Sequence, residues 1–414
     1  MDVTDGEQFP LITEALRHGV SRRDLLDYFA AGGLAALASS LPERARAADP
    51  DADEIVRIGY LPITDATSLL VAHANGYFED EGLKVAKPTL IRGWAEIAEA
   101  FVARRFNIVH LLNPVPVWMR YNNKIPAKIM VWGHTNGSGI VVGHETGIKT
   151  FADLGGKQIA VPFWYSNHNI MLQMALRKAG VKAVIKSQTA KLAKDECNLQ
   201  VMAPPEMTAG LAARKIDGYI VAEPFNALGE LKANARMLRF TGDIWKNHPC
   251  CVITMHEDNV KRRPEWTQKI VNAIVRAELY ASQHRKEVAQ MLSADGKAYL
   301  PVPGAVVDRA MNYYDVGFYG STGALEHEAQ WHNHRIDFQP WPYPSATELV
   351  VKAMNQTVVA GDTTFLKGLD PAFVTKDLVE YTHVRAALSK YPDWAKIVGV
   401  DPAHPYERQE IVEV

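Results

Sequence analysis

Six short stretches of this 414-residue chain carry side chains able to hold a small polar solute. Thr64-Asp65 and Thr67-Ser68 supply hydroxyls and a carboxylate just past an apolar run, Ile55 to Tyr60, that stops at Pro62. Such residues cap helix starts, and at the C-terminal end of a strand in an open α/β sheet they also lie where ligands bind. Trp94 stands between Gly93 and a helix start, where an indole can wall a cleft or fill a core. Asn136-Gly137-Ser138 belongs to a polar loop between two β-rich runs. His168 ends the loop Phe163 to His168, which joins a strand at Ile159 to Val161 to an apolar helix closed by Gly180. A strand, a loop and a helix N-terminus in that order present backbone N–H groups and a positive dipole end to an anion. Glu223 ends the strand Ile216 to Val221 just before Pro224, a place for a cation-binding carboxylate or for a structural ion pair. Lys246, in a turn bounded by Trp245 and Pro249, offers an ammonium group on a restrained stem.

The elements that must position these groups alternate strand and helix, so the chain reads as α/β with right-handed crossovers. Its length exceeds one ordinary hydrophobic core and predicts two lobes. The stretch Thr150 to Pro162, with paired Gly155 and Gly156 before Ile159 to Val161, reads as the entrance to the second lobe. The expected division is 55–142 plus 243–414 for the first lobe with its C-terminal helices, and 143–242 for the second. Ile216 to Val221 is expected to be the second lobe's last strand, with Met237 to Phe240 leading back to the first and Cys251 to Met255 forming a strand there. From Arg263 onward the pattern is mostly helical.

Composition removes several function classes. The net charge is −2 and no basic block of five or more occurs, which argues against a nucleic-acid partner. G-x-S-x-G, Walker A and G-x-G-x-x-G patterns are missing, so nucleophile-elbow and nucleotide-binding readings have no support. Cys197, Cys250 and Cys251 are too few for a disulfide framework, and the adjacent pair lacks C-x-x-C metal spacing, so they read as small buried hydrophobes. His327, His332 and His334, with Glu326 and Glu328, match no trusted closed metal site and read as a solvated loop. No metal and no cofactor is expected. At the N-terminus, Arg22-Arg23 precede a modest apolar run, Tyr28 to Leu41, and Ala45-Arg46-Ala47 gives a small-x-small cleavage signal. Residues 1–47 thus resemble a twin-arginine export signal, which implies a periplasmic protein.

The order of motifs from Ile55 to Leu292 resembles the type II periplasmic binding proteins of ABC importers, in their nitrate, bicarbonate and sulfonate branch. The resemblance is carried by Leu61-Pro62-Ile63-Thr64-Asp65 with Gly76-Tyr77-Phe78, by Trp94, by His110 to Pro116 and by Thr135-Asn136-Gly137. Ala152 to Lys157, His168 opening a helix, Gly210 to Asp217 before Glu223-Pro224, and Trp245 to Pro249 complete it. It implies a two-lobed α/β fold of mixed sheets flanked by helices, with the ligand cleft between the lobes. It further implies a non-catalytic, monomeric receptor for a small anion (nitrate, nitrite, bicarbonate, cyanate or a sulfonate) that serves permease and ATPase subunits at the inner membrane. Carried over residue by residue, the ligand would meet Trp94, the loop Asn136 to Ser138, His168 and Lys246, with Thr64, Asp65 and Glu223 at the neighbouring strand ends. Ser138 replaces a larger amide expected in nitrate binders, and Asn247 an acidic neighbour of Lys246 in some members, which leaves room for a larger or neutral solute. The alternative is an enzyme or binder on the same scaffold, similar to the thiamine pyrimidine synthases, with His168 and a pyridoxal-bound Lys246.

Overall fold

The computed structural model describes residues 55–414, so the export-signal reading of residues 1–47 lies outside the described residues. Strands β1 (Ile55–Val56), β2 (Ile58–Tyr60), β3 (Lys84–Val85), β4 (Thr89–Leu90), β5 (Ile108–Leu112) and β6 (Ala127–Trp132) come first. The crossing strand β7 (Thr135–Asn136) leads to β8 (Ser138–Gly143), β9 (Gln158–Val161), β10 (Lys182–Val184), β11 (Glu196–Val201), β12 (Gly218–Ala222) and β13 (Ala235–Phe240). After these, β14 (Cys251–His256) and β15 (Ile336–Asp337) complete the set. One sheet has the order β4-β2-β5-β14-β6 and the other β10-β11-β9-β12-β8-β13. Within the first, β2 runs parallel to β4 and β5, while β14 enters antiparallel between β5 and β6. The chain therefore builds most of one sheet, leaves to build the other, and returns to fill a slot in the first.

The run Ile108 to Leu112, apolar except for His110, forms the central strand β5, buried at every residue. One expectation about the second sheet changes, and one strand of it was not foreseen. Met237 to Phe240 does not lead out of it: these residues belong to β13, an edge strand paired with β8 through a bulge between Met237 and Arg239. Glu196 to Val201 forms β11, a strand whose three polar residues hide it from any search for apolar runs. Its Asn198 is buried because its side chain exchanges hydrogen bonds with Gln158 and Lys186.

The two crossings lie side by side. Asn136 and Gly137 both adopt left-handed backbone, with φ of 58° and 74°, a turn that an amide residue and a glycine tolerate best. Gly242, on the return crossing, sits so close that an added Cβ would meet Asn136 at 2.7 Å. Thr241 Oγ1 donates to the Ser138 carbonyl at 2.9 Å and shares a 2.8 Å hydrogen bond with His248 Nε2.

The helical C-terminal third covers both halves. The helix Pro371–Leu378 docks through Asp377, which takes a two-pronged hydrogen bond from Arg120 at 2.6 and 2.8 Å and a third from the Tyr121 hydroxyl. These donors, Arg120 foremost, hold the Asp377 carboxyl down to about 2. Because its folded value lies below its ordinary one, this pair stabilises the protein fully above about pH 4, and the contribution is lost as the pH falls towards 2. Asp377→Asn should therefore lower the melting temperature at pH 6, with the gap to wild type closing as thermal scans approach pH 2. A gap independent of pH would exclude the ion pair as its source.

Candidate functional site

The C-terminal ends of β2, β5 and β6 and the N-terminal start of β14 share one edge of the five-stranded sheet, where loops can converge on a ligand. After β2, Thr64 and Asp65 are wholly buried in a short 3-10 turn, followed by Thr67 and Ser68 at the start of the helix Thr67–Ala74. Thr67 Oγ1 donates to the Thr64 carbonyl at 2.5 Å, while Ser68 Oγ has no hydrogen-bond partner among the described residues. Trp94 opens the helix Trp94–Val102 and is buried, edge-on to His110 with ring centres 5.6 Å apart. Its indole N–H is buried without a hydrogen-bond acceptor among the described residues. His110 Nε2 accepts the Leu61 amide at 2.9 Å, and burial pushes its imidazole down to about 3, so the ring is neutral.

From the other sheet come Ser138, first residue of β8, and His168, in the first turn of the helix Asn167–Lys178. The helix start is fixed because Ser166 accepts the Asn169 amide at 3.1 Å. Ser138 Oγ and His168 Nε2 are 2.9 Å apart, and His168 Nδ1 is buried without a partner among the described residues. Both reach the first sheet at Cys250, whose sulfur is 3.6 Å from Ser138 Oγ and 3.7 Å from His168 Nε2. Asn167 also donates its amide to the Pro249 carbonyl, and Tyr165 stacks on Trp118 with centres 5.4 Å apart.

Sequence reasoning named Asp65 but missed His134, Cys250 and Cys251, which gather around it beneath this contact. Asp65 Oδ2 lies 2.8 Å from His134 Nε2, 3.4 Å from Cys250 Sγ and 3.1 Å from Cys251 Sγ, with all four side chains buried. Burial pushes Asp65 up to about 6. Burial also opposes a charge on His134, but the Asp65 carboxylate outweighs it and holds the ring up at about 10. Burial likewise opposes ionisation of Cys250, yet the neighbouring Cys251 thiol and the His168 and His134 rings hold its thiol well below the usual range. All three cysteines are free. Only the position of Cys250-Cys251 at a strand start beside a Pro-Cys step hinted at this, because the partners are 116 or more residues away in the chain. His327, His332 and His334 do not converge: His327 stacks on Trp331, His332 closes a short helix and His334 pairs with Asp337.

Two further residues make no side-chain hydrogen bond or ion pair with this cluster among the described residues. Glu223 is wholly buried, and both its oxygens are taken: Oε1 by Arg335, at 2.5 Å from Nη2 and 2.8 Å from Nε, and Oε2 by the Ala227 amide at 3.0 Å. Its backbone stitches the halves, since its carbonyl accepts the Thr64 amide at 2.8 Å and its amide donates to Gly137 at 2.9 Å. Lys246 is half-buried in a turn whose amide donates to Ile411 of the C-terminal segment. No hydrogen bond or ion pair joins its ammonium to His168 among the described residues. Asn136 and Asn247, the turn's next residue, share a 3.2 Å side-chain hydrogen bond.

The profile of the NMT1-like family matches residues 49–293, more than half of the chain. The chain belongs to that family. It is 24% identical over 281 residues to the nitrate/nitrite binding protein NrtA of Nostoc sp. PCC 7120, a match covering 63% of this chain and 62% of that protein. The matched stretch is thus less than two thirds of that relative's own length. It superposes on the periplasmic nitrate-binding protein NrtA from Synechocystis PCC 6803 with a TM-score of 0.68 and 19% identity, covering 85% of this chain and 96% of that one. Another structural neighbour, the desulfurization enzyme DSZB, gives a TM-score of 0.51 at 16% identity over 82% of this chain and 99% of that one. The fold is therefore the two-lobed periplasmic-binding-protein fold expected from the motif order. Receptors and an enzyme share it, so the site rather than the scaffold must decide function.

Proposed function

We propose that this protein is the extracytoplasmic solute receptor of an ABC importer, capturing a small anion between its two sheets and closing on it by hinge motion. The observation that carries this reading is the meeting of Ser138 and His168 from one sheet with Asp65 and Cys250 of the other, at the sheet edge where the buried Trp94 opens the helix after β4. The free indole N–H of Trp94, the free Nδ1 of His168 and the Ser138 hydroxyl are donors of the kind a planar or tetrahedral oxyanion takes. Lys246, whose ammonium has no ion-pair partner among the described residues, is the group assigned to offset the anion's charge. No helix among the described residues is long and apolar enough to cross a membrane, and delivery to a permease with its ATPase subunits follows from the receptor reading. A thermal-shift screen of nitrate, nitrite, bicarbonate, cyanate and an alkanesulfonate tests it. The true solute at 100 times its dissociation constant should add roughly 2.7 kcal/mol of stability, whereas no shift with any of the five would sink the small-anion reading.

An enzyme is the second reading, favoured by the 3.7 Å approach of Cys250 Sγ to His168 Nε2, a thiol beside a possible base. Chemical turnover of the solute found in the screen, or a pyridoxal absorbance band in the purified protein, would put it ahead of the receptor. Export by the twin-arginine route accompanies the receptor reading. Replacing Arg22 and Arg23 together by lysine should leave unprocessed precursor in the cytoplasm, and normal processing of that double variant would refute the route.

A further inference from the structure

Beneath the proposed solute contact, Asp65, His134, Cys250 and Cys251 bring one carboxylate oxygen, one imidazole nitrogen and two sulfurs within 4.8 Å of one another. We infer that these four side chains form a binding site for a thiophilic divalent cation of the zinc class, a property that does not depend on which solute the cleft takes.

The donor set comes from three loops of one sheet edge: the turn after β2, the bend after β6, and the start of β14. Adjacent residues of a regular strand point to opposite faces. Cys250 precedes β14 rather than lying in it, and so both sulfurs reach the same Asp65 oxygen, at 3.4 and 3.1 Å. Around a tetrahedral zinc with bonds of about 2.0 to 2.3 Å, neighbouring ligand atoms stand roughly 3 to 4 Å apart. The observed spacing needs only small rotamer shifts to meet that.

As a hydrogen-bonded group the cluster is poorly arranged. His134 Nε2 approaches Asp65 Oδ2 to 2.8 Å yet makes no hydrogen bond, which at that separation means that the ring N–H direction misses the oxygen. Three groups crowd Asp65 Oδ2, while Asp65 Oδ1 and His134 Nδ1 are buried with no partner among the described residues. Donors that converge on a common point rather than on each other are what a metal ion requires, and two thiolates with one imidazole and one carboxylate favour a soft or borderline ion over magnesium or calcium. Ser138 Oγ and His168 Nε2, both within 3.7 Å of Cys250 Sγ, are placed to donate to the thiolate and orient it.

The test uses the full chain, purified and stripped with a chelator, and Co(II) alone as the probe. One equivalent of Co(II) should bind with the visible absorption of tetrahedral coordination and the near-ultraviolet thiolate-to-cobalt bands, and zinc should displace it while raising the melting temperature. Cys251→Ser should lose the thiolate bands in part and weaken binding by at least the roughly tenfold seen for outer-shell losses. His134→Gln should weaken binding similarly while keeping both sulfurs. Wild-type protein that takes up no stoichiometric Co(II), or takes it up without thiolate bands, overturns the site even if neither variant folds. Unchanged affinity in a folded Cys251→Ser protein would overturn it equally, and neither result bears on the anion screen.

Discussion

Arg335→Met should destabilise the protein by about 3–5 kcal/mol, the cost of stranding a buried carboxylate by removing its partner. The guanidinium is wholly buried and touches Glu223 at 2.5 Å and Glu230 at 3.1 Å through the same nitrogen. Its other end donates to the Tyr319 hydroxyl at 3.0 Å and the Tyr313 carbonyl at 3.1 Å, and its plane lies 5.1 Å from the centre of the Phe240 ring. Burial pushes the Glu223 carboxyl up, and Arg335 works against that. Without the arginine, the buried Glu223 carboxyl would keep only the Ala227 amide as a donor, while Glu230 would retain Arg309. Glu223→Gln should cost less, because the amide keeps the shape and an acceptor for Arg335, and solute binding should persist in it. Denaturant titrations of both variants check the order. A loss below about 1 kcal/mol for Arg335→Met, of the size of a surface pair, would show that the clasp is not fully desolvated.

The second large effect is on binding. His168→Ala should weaken the solute by about one to two decades, the loss expected for a charge-assisted hydrogen bond of roughly 1.5 to 3 kcal/mol in a dry site. The ligand-free protein should lose little, because the ring's one strong intramolecular partner is the Ser138 hydroxyl, which can turn to another acceptor. Calorimetry with the anion that shifts the melting temperature most would read this directly. Unaltered affinity would remove His168 from the ligand's coordination and leave it a packing residue.

How far the sequence revealed this molecule depended on whether the signal was local. Ile108 to Leu112 is a strand because a short, mostly apolar run between polar loops, with only His110 interrupting it, has few other solutions. The helix after β9 was legible too, but it starts at Asn167, inside the stretch read as loop, because Ser166 caps it. Glu223 was visible as a carboxylate at a strand tip, but its partner Arg335 lies 112 positions on in a loop with no periodicity. The same holds for Asp65, His134 and the Cys250-Cys251 pair: each is unremarkable in its own segment, and only the return of β14 between β5 and β6 brings them together. β11 escaped because tertiary hydrogen bonds, not hydrophobicity, bury its Asn198. The turn that carries Lys246 is also tied to the C-terminal segment through Ile411, a contact no local pattern announces.

The most direct test of the receptor account is a crystal structure of the protein with the anion selected by the thermal-shift screen. The account predicts one anion between the two sheets, with its oxygens about 2.7 to 3.2 Å from donors on Ser138 or His168 and its flank against Trp94. An anion bound elsewhere on the molecule, with Ser138 and His168 still bonded only to each other and to Cys250, would contradict it.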